Sequence, residues 1–318
     1  MQKFILLFTL LLGSNISRSN GLDITNLSCN EITSVLSFDL SWENSFLVED
    51  VGGICTIYDG AWIIVKYALA ESDQWHHADV VAATSSEHYF MSTDQKGVMI
   101  WDNSPHTNTT MNITVTVTLG TLTGSKHDFK VFGTEMVNAP FKTFEAGDAI
   151  SEGRYYMNGD TLIPFEITNG GAYTRESGLG EFDQVGSIVQ PDMSADYPNG
   201  YEAFWAMKYK ISTEQYIDFL NCLTRVQQNT RTQSDLGTSV STVTNRYVMS
   251  GTSSVVNRNP IKCDQTIGIG RITFYCDLDD DDIPNENNDG NNIVCNYLSR
   301  SDVAAFIDWY AMRVMSDL

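Results

Sequence analysis

The sequence predicts an all-β N-terminal sandwich followed by an α+β domain, and three observations carry that expectation. Between Leu22 and Phe132, short runs rich in β-branched and aromatic residues are separated by polar turns, with no amphipathic helix among them. Beyond Phe132 the texture shifts to Gly, Asn, Asp and Tyr, and two capped helical stripes follow. The chain has 318 residues, about twice the ~150 of a common domain, so two compact units are expected. The boundaries read as a leader over 1–20, a β-sandwich over 21–133 and a second domain over 134–318.

The leader, MQKFILLFTLLLGSNISRSN, sets Lys3 before an apolar run from Phe4 to Leu12 and then turns small and polar. That is the pattern of a secretory signal peptide. The run falls well short of the ~20 residues a membrane-spanning helix needs, and no later stretch replaces it. The mature protein is therefore expected from Gly21, secreted or periplasmic, with no membrane span.

In the sandwich, Val35–Trp42, Ala61–Tyr67 and Met111–Leu119 read as strands. Residues 147 to 200 lack sustained periodicity and read as loops. Ser212 with Gln215 forms a capping box, after which Tyr216, Phe219, Leu220 and Leu223 fall on one helical face. Ser299 with Asp302 opens a second helix in the same way, with Val303, Phe306, Ile307 and Tyr310 as its stripe. Residues 229 to 295 are too long and polar for a simple connection. Phe204-Trp205-Ala206-Met207-Lys208-Tyr209, just ahead of the first cap, reads as a core strand rather than as an aromatic sugar-binding face.

Apolar residues make up 42% and charged residues 19% of the chain, which excludes a disordered tail. Forty acidic residues against nineteen Lys and Arg give a net charge of −21. That field repels nucleic acids and anionic membranes, so neither is an expected partner. In an exported chain the six cysteines are expected to form structural disulfides, Cys29 with Cys55 early and Cys222, Cys263, Cys276 and Cys295 pairing among themselves.

The most specific chemical signal is the run from Cys276 to Gly290, CDLDDDDIPNENNDG. Asp277, Asp279 and Asp281 alternate, and Ile283, Asn285, Asn288 and Asp289 supply further oxygens. Calcium takes six to eight oxygen ligands from a flexible loop, and spacing by two lets successive groups wrap one ion. These seven residues are the expected ligands of a structural calcium. The run resembles the calcium loops of thrombospondin type 3 repeats, with Asp282 where those loops carry a turn-forming Gly and Asn285 where they carry Asp. Asp282 is therefore expected in an awkward backbone conformation.

Other motifs point to no chemistry. His76 and His77 are adjacent on an expected strand, so they face opposite sides and cannot share an ion, and His76 is expected beside Trp75. Gly268-Ile269-Gly270 lacks the third glycine and the helix of a phosphate cradle. There is no Gly-x-Ser-x-Gly elbow.

The second domain resembles a known family. Thr134 to Asp148, TEMVNAPFKTFEAGD, is similar to the opening block of the formylglycine-generating enzyme (sulfatase-modifying factor) family. Phe204 to Leu220, FWAMKYKISTEQYIDFL, looks like its Phe-x-Met-x-x-Tyr-Glu-Val-Thr-Asn-x-Glu-Tyr-x-x-Phe segment. Ser299 to Leu318 resembles its Val-Ser-Trp-x-Asp-Ala-x-Ala-Tyr-Cys-x-Trp-Ala-Gly block, with Arg300 in place of the family's Trp. The resemblance implies a C-type-lectin-like α+β fold, incomplete because the family's C-terminal half would lie beyond Leu318. It also implies that Trp309, Tyr310 and Val314 lack a facing layer and form an exposed apolar patch. That missing half carries the family's copper-binding cysteine pair, which none of the six cysteines matches, so no catalytic residue is transferred. The expected function is a secreted bacterial binding or surface-assembly module stabilised by calcium. An unidentified extracellular protein or glycan is the expected partner, the glycan by analogy with a lectin-like fold alone. The alternative is a formylglycine-generating-type cysteine oxidase whose catalytic half is absent from this chain.

Overall fold

The structure is a computed structural model and describes residues 17–19, 21–49, 56–70, 72–124, 126–146, 156–157, 164–174, 182–183 and 192–315. Apart from Ser17–Ser19 and its pairing with Leu22–Ile24, the expected leader lies outside the described residues. So do most of the expected loops between 147 and 191, and Cys55. The first ten strands are β1 (Ser17–Ser19), β2 (Leu22–Asn30), β3 (Val35–Glu49), β4 (Thr56–Leu69), β5 (His76–His77), β6 (Val80–Thr84), β7 (His88–Met91), β8 (Val98–Trp101), β9 (His106–Leu119) and β10 (His127–Ala139). Four short strands follow, β11 (Phe144–Ala146), β12 (Tyr156–Met157), β13 (Phe165–Ile167) and β14 (Phe182–Asp183), and then β15 (Phe204–Met207). The remainder holds α1 (Thr213–Leu220), α2 (Arg225–Thr230), β16 (Ile261–Cys263), β17 (Phe274–Cys276) and α3 (Arg300–Trp309).

The described residues are mostly β, 42% strand and 9% helix, with a curled antiparallel sheet. On one side β3 pairs with β2 and β9, Leu40 standing opposite Ile24 and Ile113. On the other, β4 pairs with β10 and β8, Val65 opposite Val131 and Ile63 opposite Val98. Alternation decides what lies between them. Leu36, Phe38, Leu40 and Trp42 of β3, Met111 to Leu119 of β9 at every second residue, and Ala61, Ile63, Val65 and Tyr67 of β4 form one buried core.

β4 departs from simple alternation, since every residue from Asp59 to Ala68 is buried. Its second face is covered by the helices. Trp62 Nε1 donates to the Tyr310 carbonyl (2.8 Å), Lys66 Nζ donates to the Trp309 carbonyl (2.7 Å), and the Phe132 ring lies 4.7 Å from that of Trp309. Gln215 of α1 reaches Thr134 of β10 (3.2 Å). The apolar run Ala61–Tyr67 carried this signal, because strands buried on both faces read as continuous rather than alternating.

One expectation is corrected here. Tyr310 and Phe306 are fully buried, so α3 does not present the exposed patch expected at its end; the outer face of β4 and β10 supplies the facing layer. Val314 alone of the three expected residues is open, at 55% exposure. The described residues of 1–48, 58–137 and 207–313 form one compact unit, and those of 49–57, 138–206 and 314–318 another. β10 runs straight through the expected border, and the helices belong with the sandwich.

The helices start where the sequence placed them, each with a complete capping box at Ser212/Gln215 and Ser299/Asp302. A third box, Thr224/Gln227, opens α2 and was equally legible. β15 forms, but Phe204 is 37% exposed, so it is no core strand. Among the described residues, Cys222, Cys263, Cys276 and Cys295 are free thiols, not the expected disulfides, while the expected partner of Cys29, Cys55, lies outside the described residues. Cys263 and Cys276 lie on paired strands, but Cys263 stands opposite Phe274 and Cys276 opposite Ile261. That diagonal is ~7–8 Å, too long for a disulfide.

Candidate metal site

The acidic loop leaves the β16–β17 ribbon with its first carboxylate already inside the protein. Asp277 N donates to the Pro260 carbonyl (3.0 Å), extending the ribbon by one residue and burying Asp277 completely. A buried carboxylate needs a partner. Lys262 of β16, whose side chain is 1% exposed, supplies it: Nζ lies 2.6 Å from Asp277 Oδ2. The same ammonium binds Asp280 Oδ1 (2.7 Å) and Asp282 Oδ1 (2.8 Å). Burial by itself depresses the Lys262 ammonium, but the three aspartate bonds outweigh burial and hold it above its ordinary value. The Lys262 bonds likewise hold Asp280 and Asp282 below theirs.

Lys262 thus gathers three of the loop's carboxylates. Asp280 and Asp282 adopt left-handed backbone conformations, φ 63° and 67°, and turn to Lys262, with Arg246 also on Asp282 (2.7 Å). Asp282, where a related loop would carry Gly, does occupy the awkward region, and its two cationic partners offset the strain. Asp277, which also meets Lys262, and Asp279 and Asp281 each place a carboxylate oxygen within 4.8 Å of the others.

The other expected ligands divide. Asp289 is fully buried; its Oδ2 accepts from Glu286 N (2.6 Å), while Oδ1 is buried with no hydrogen-bond partner. Burial raises the Asp289 carboxyl, and Asp277 and Asp279 raise it further. Asn288 Nδ2 donates to Asp279 Oδ2 at the edge of the triad. Ile283 N donates to Asp281 Oδ1 (2.8 Å), with its side chain in solvent. Asn285 is turned away: its Oδ1 accepts from Cys276 N (3.1 Å) and its N donates to the Cys276 carbonyl (3.1 Å), closing the loop on its own strand. Sequence reasoning missed Lys262 and also Glu286, whose carboxyl is raised by desolvation and by Asp281, Asp289 and Asp279. An oxygen-only donor set of this kind suits a hard cation of calcium's type.

A cavity of about 510 Å³ lies beside α3. Lys66 and Trp309 line it, with the ammonium 5.0 Å above the indole and 2.8 Å from His77 Nδ1. Burial pulls Lys66 down to about 8 and His77 down to about 4. His76 lies with its ring 5.5 Å from that of Tyr67.

The fold is that of a β-rich, sandwich-like protein with a helical layer on one sheet face and a cluster of carboxylates at a ribbon end. No protein-family model and no curated protein matches the chain. Among solved structures it is similar to one described as "pH-induced modulation of Streptococcus parasanguinis adhesion by Fap1 fimbriae". The two are 11% identical over 47% of this chain and 75% of that one, with a TM-score of 0.18, too low to bear on fold or function.

Proposed function

We propose that the chain is a secreted, non-catalytic binding or surface-assembly module whose acidic loop is stabilised by calcium. The observation that carries this reading is the carboxylate triad Asp277, Asp279 and Asp281 within 4.8 Å, with Asp289, whose Oδ1 is buried with no hydrogen-bond partner, near enough for Asp277 and Asp279 to raise its carboxyl. Like charges gathered this closely repel, and a divalent cation relieves the repulsion while satisfying the orphaned oxygen. Asp277, Asp279, Asp281 and Asp289 would hold the ion, with Asn288 and the Ile283 backbone at its edge. The leader supports export, and the net charge of −21 suits a calcium-containing fluid. The formylglycine-generating-enzyme resemblance remains part of this reading for the chain from 134 onward, with a C-type-lectin-like organisation and an extracellular protein or glycan as partner.

The thiols support a non-catalytic role. Burial pushes Cys222 and Cys263 up to about 11 and Cys276 up to about 12, so they stay protonated and are poor nucleophiles and metal ligands near neutrality. Calorimetric titration of chelator-stripped protein with calcium tests the central claim. Saturable binding that Asp279→Ala and Asp281→Ala abolish is the expected result; heats no larger than dilution in the wild type would refute the site.

A further inference from the structure

A second constellation of charged groups lies inside the sheet, apart from the acidic loop. Asp59 on β4 and Glu135 on β10 sit on adjacent antiparallel strands, Asp59 opposite Val137 and Glu135 opposite Ala61. Two residues apart across the ladder, they share one face. Lys208, just after β15, is anchored there by its own backbone, N–H to the Glu135 carbonyl (2.9 Å). Its Nζ lies 2.7 Å from Asp59 Oδ2 and 2.8 Å from Glu135 Oε2, with side-chain exposures of 10%, 0% and 1% for Lys208, Asp59 and Glu135. The rings of Phe46 and Tyr209 flank the ammonium at 5.6 and 5.4 Å.

The two oxygens of Asp59 are held differently. Oδ2 faces Lys208, while Oδ1 accepts from Ser45 Oγ (2.8 Å) and Phe46 N–H (3.0 Å). His106 Nε2, 2.9 Å from Ser45 Oγ, fixes that hydroxyl. Ser45 is itself buried, so the Ser45–His106 pair has no access to a substrate and serves Asp59 instead. Two donors on one carboxyl oxygen and an amine at the other is the arrangement that stabilises negative charge on Oδ1 when the carboxyl carbon is attacked.

We propose that Lys208 and Asp59 condense within the folded chain into an isopeptide bond, with Glu135 as the proton shuttle. Glu135 first takes a proton from the Lys208 ammonium, freeing the nitrogen lone pair, and passes it to Asp59 Oδ2. Nζ then attacks Asp59 Cγ, one bond beyond the Oδ2 it already touches, and charge collects on Oδ1 under Ser45 and Phe46 N–H. Glu135 moves a second proton from nitrogen to Oδ2, which leaves as water. Nitrogen starts with three hydrogens and keeps one; the other two depart with Oδ2 as water. The ammonium and carboxylate charges cancel into a neutral amide, and Glu135 ends as it began, so no oxidant or co-reactant is needed. Proximity supplies much of the rate, because the reacting groups are held in contact by the fold. Burial raises the Glu135 carboxyl to about 7, against the opposing pull of Lys208, so it can both accept and donate a proton near neutrality. Its Oε1 is buried without a partner, free to take part in the transfer. The product would tie β4 to the chain after β15 and close a loop spanning 149 residues, removing chain entropy from the unfolded state.

Mass spectrometry of the reduced, denatured full chain tests this. The expected result is a loss of one water, about 18 Da, together with a branched tryptic species joining the Asp59 and Lys208 peptides and no cleavage after Lys208. Lys208→Arg should restore the full mass, and Glu135→Gln should leave most of the chain unlinked. Since variants of a buried cluster can fail to fold, the wild-type peptide map is decisive by itself. Asp59 precedes Gly60, so dehydration to a succinimide would give the same mass change. A lightened Asp59 peptide recovered separately from a free Lys208 peptide, or no mass loss at all, would overturn the proposal.

Discussion

Lys262 is the residue on which the acidic loop turns. One buried ammonium neutralises Asp277 and draws Asp280 and Asp282 to its side. Lys262→Met keeps the volume and removes the charge, leaving Asp277 buried without its ion pair. A loss of about 3–5 kcal/mol in urea unfolding is expected, since breaking a buried pair strands the other charge; a loss under ~1 kcal/mol would show that Asp277 finds another partner. His77 carries a separate prediction. Its imidazole is held neutral in the folded state, down to about 4, by burial first and then by the neighbouring Lys66. The unfolded chain keeps a pKa near 6.5, so protons favour the unfolded state. This contribution is therefore complete above pH ~6.5 and lost as pH falls through about 4. Unfolding midpoints measured across that window should decline in the wild type and decline less in His77→Gln. Equal slopes would mean that other groups dominate acid sensitivity.

At the scale of elements, the docking of α3 on β4 and β10 organises the molecule. Phe306 is fully buried and packs 5.8 Å from Phe219 and 5.0 Å from Tyr310 between ring centroids. Phe306→Ala should cost about 3–5 kcal/mol, the range for emptying an aromatic core site, with a change in the near-ultraviolet dichroism of Trp309. The sheet below is as closely fitted. A Cβ at Gly97 would stand 2.7 Å from the Ile63 carbonyl oxygen and against the Trp62 ring, and that ring is pinned by its bond to Tyr310 O. Gly97→Ala is thus expected to destabilise by about 1–3 kcal/mol; a neutral result would show that Trp62 can shift. These fits explain why the element reading succeeded in some places and failed in others. Caps are local, so Ser212, Thr224 and Ser299 announce their helices. Burial on a strand's second face is not local, and the continuous run Ala61–Tyr67 was the single sign of it.

For the whole molecule, a net charge of −21 works against compaction, and calcium at the acidic loop would offset part of it. Ligand that binds only the folded state adds about 2.7 kcal/mol at a hundred times its dissociation constant. Thermal unfolding should therefore move upward with calcium and much less with equal magnesium, whose stricter octahedral shell fits a loose carboxylate loop poorly. A shift of the same size with both ions would indicate general screening instead of a site. The strand runs, the capping boxes and the alternation of Asp277, Asp279 and Asp281 are legible in the amino-acid order, because each depends on neighbours within a turn or two. That Lys262, 15 positions from Asp277, gathers Asp277, Asp280 and Asp282 on one ammonium is set by folding. The tertiary structure alone set Tyr310 on Trp62 across 248 positions and brought Lys208 to Asp59 across 149. Local patterns record which way a side chain faces; what it meets there is fixed by segments that only folding brings together.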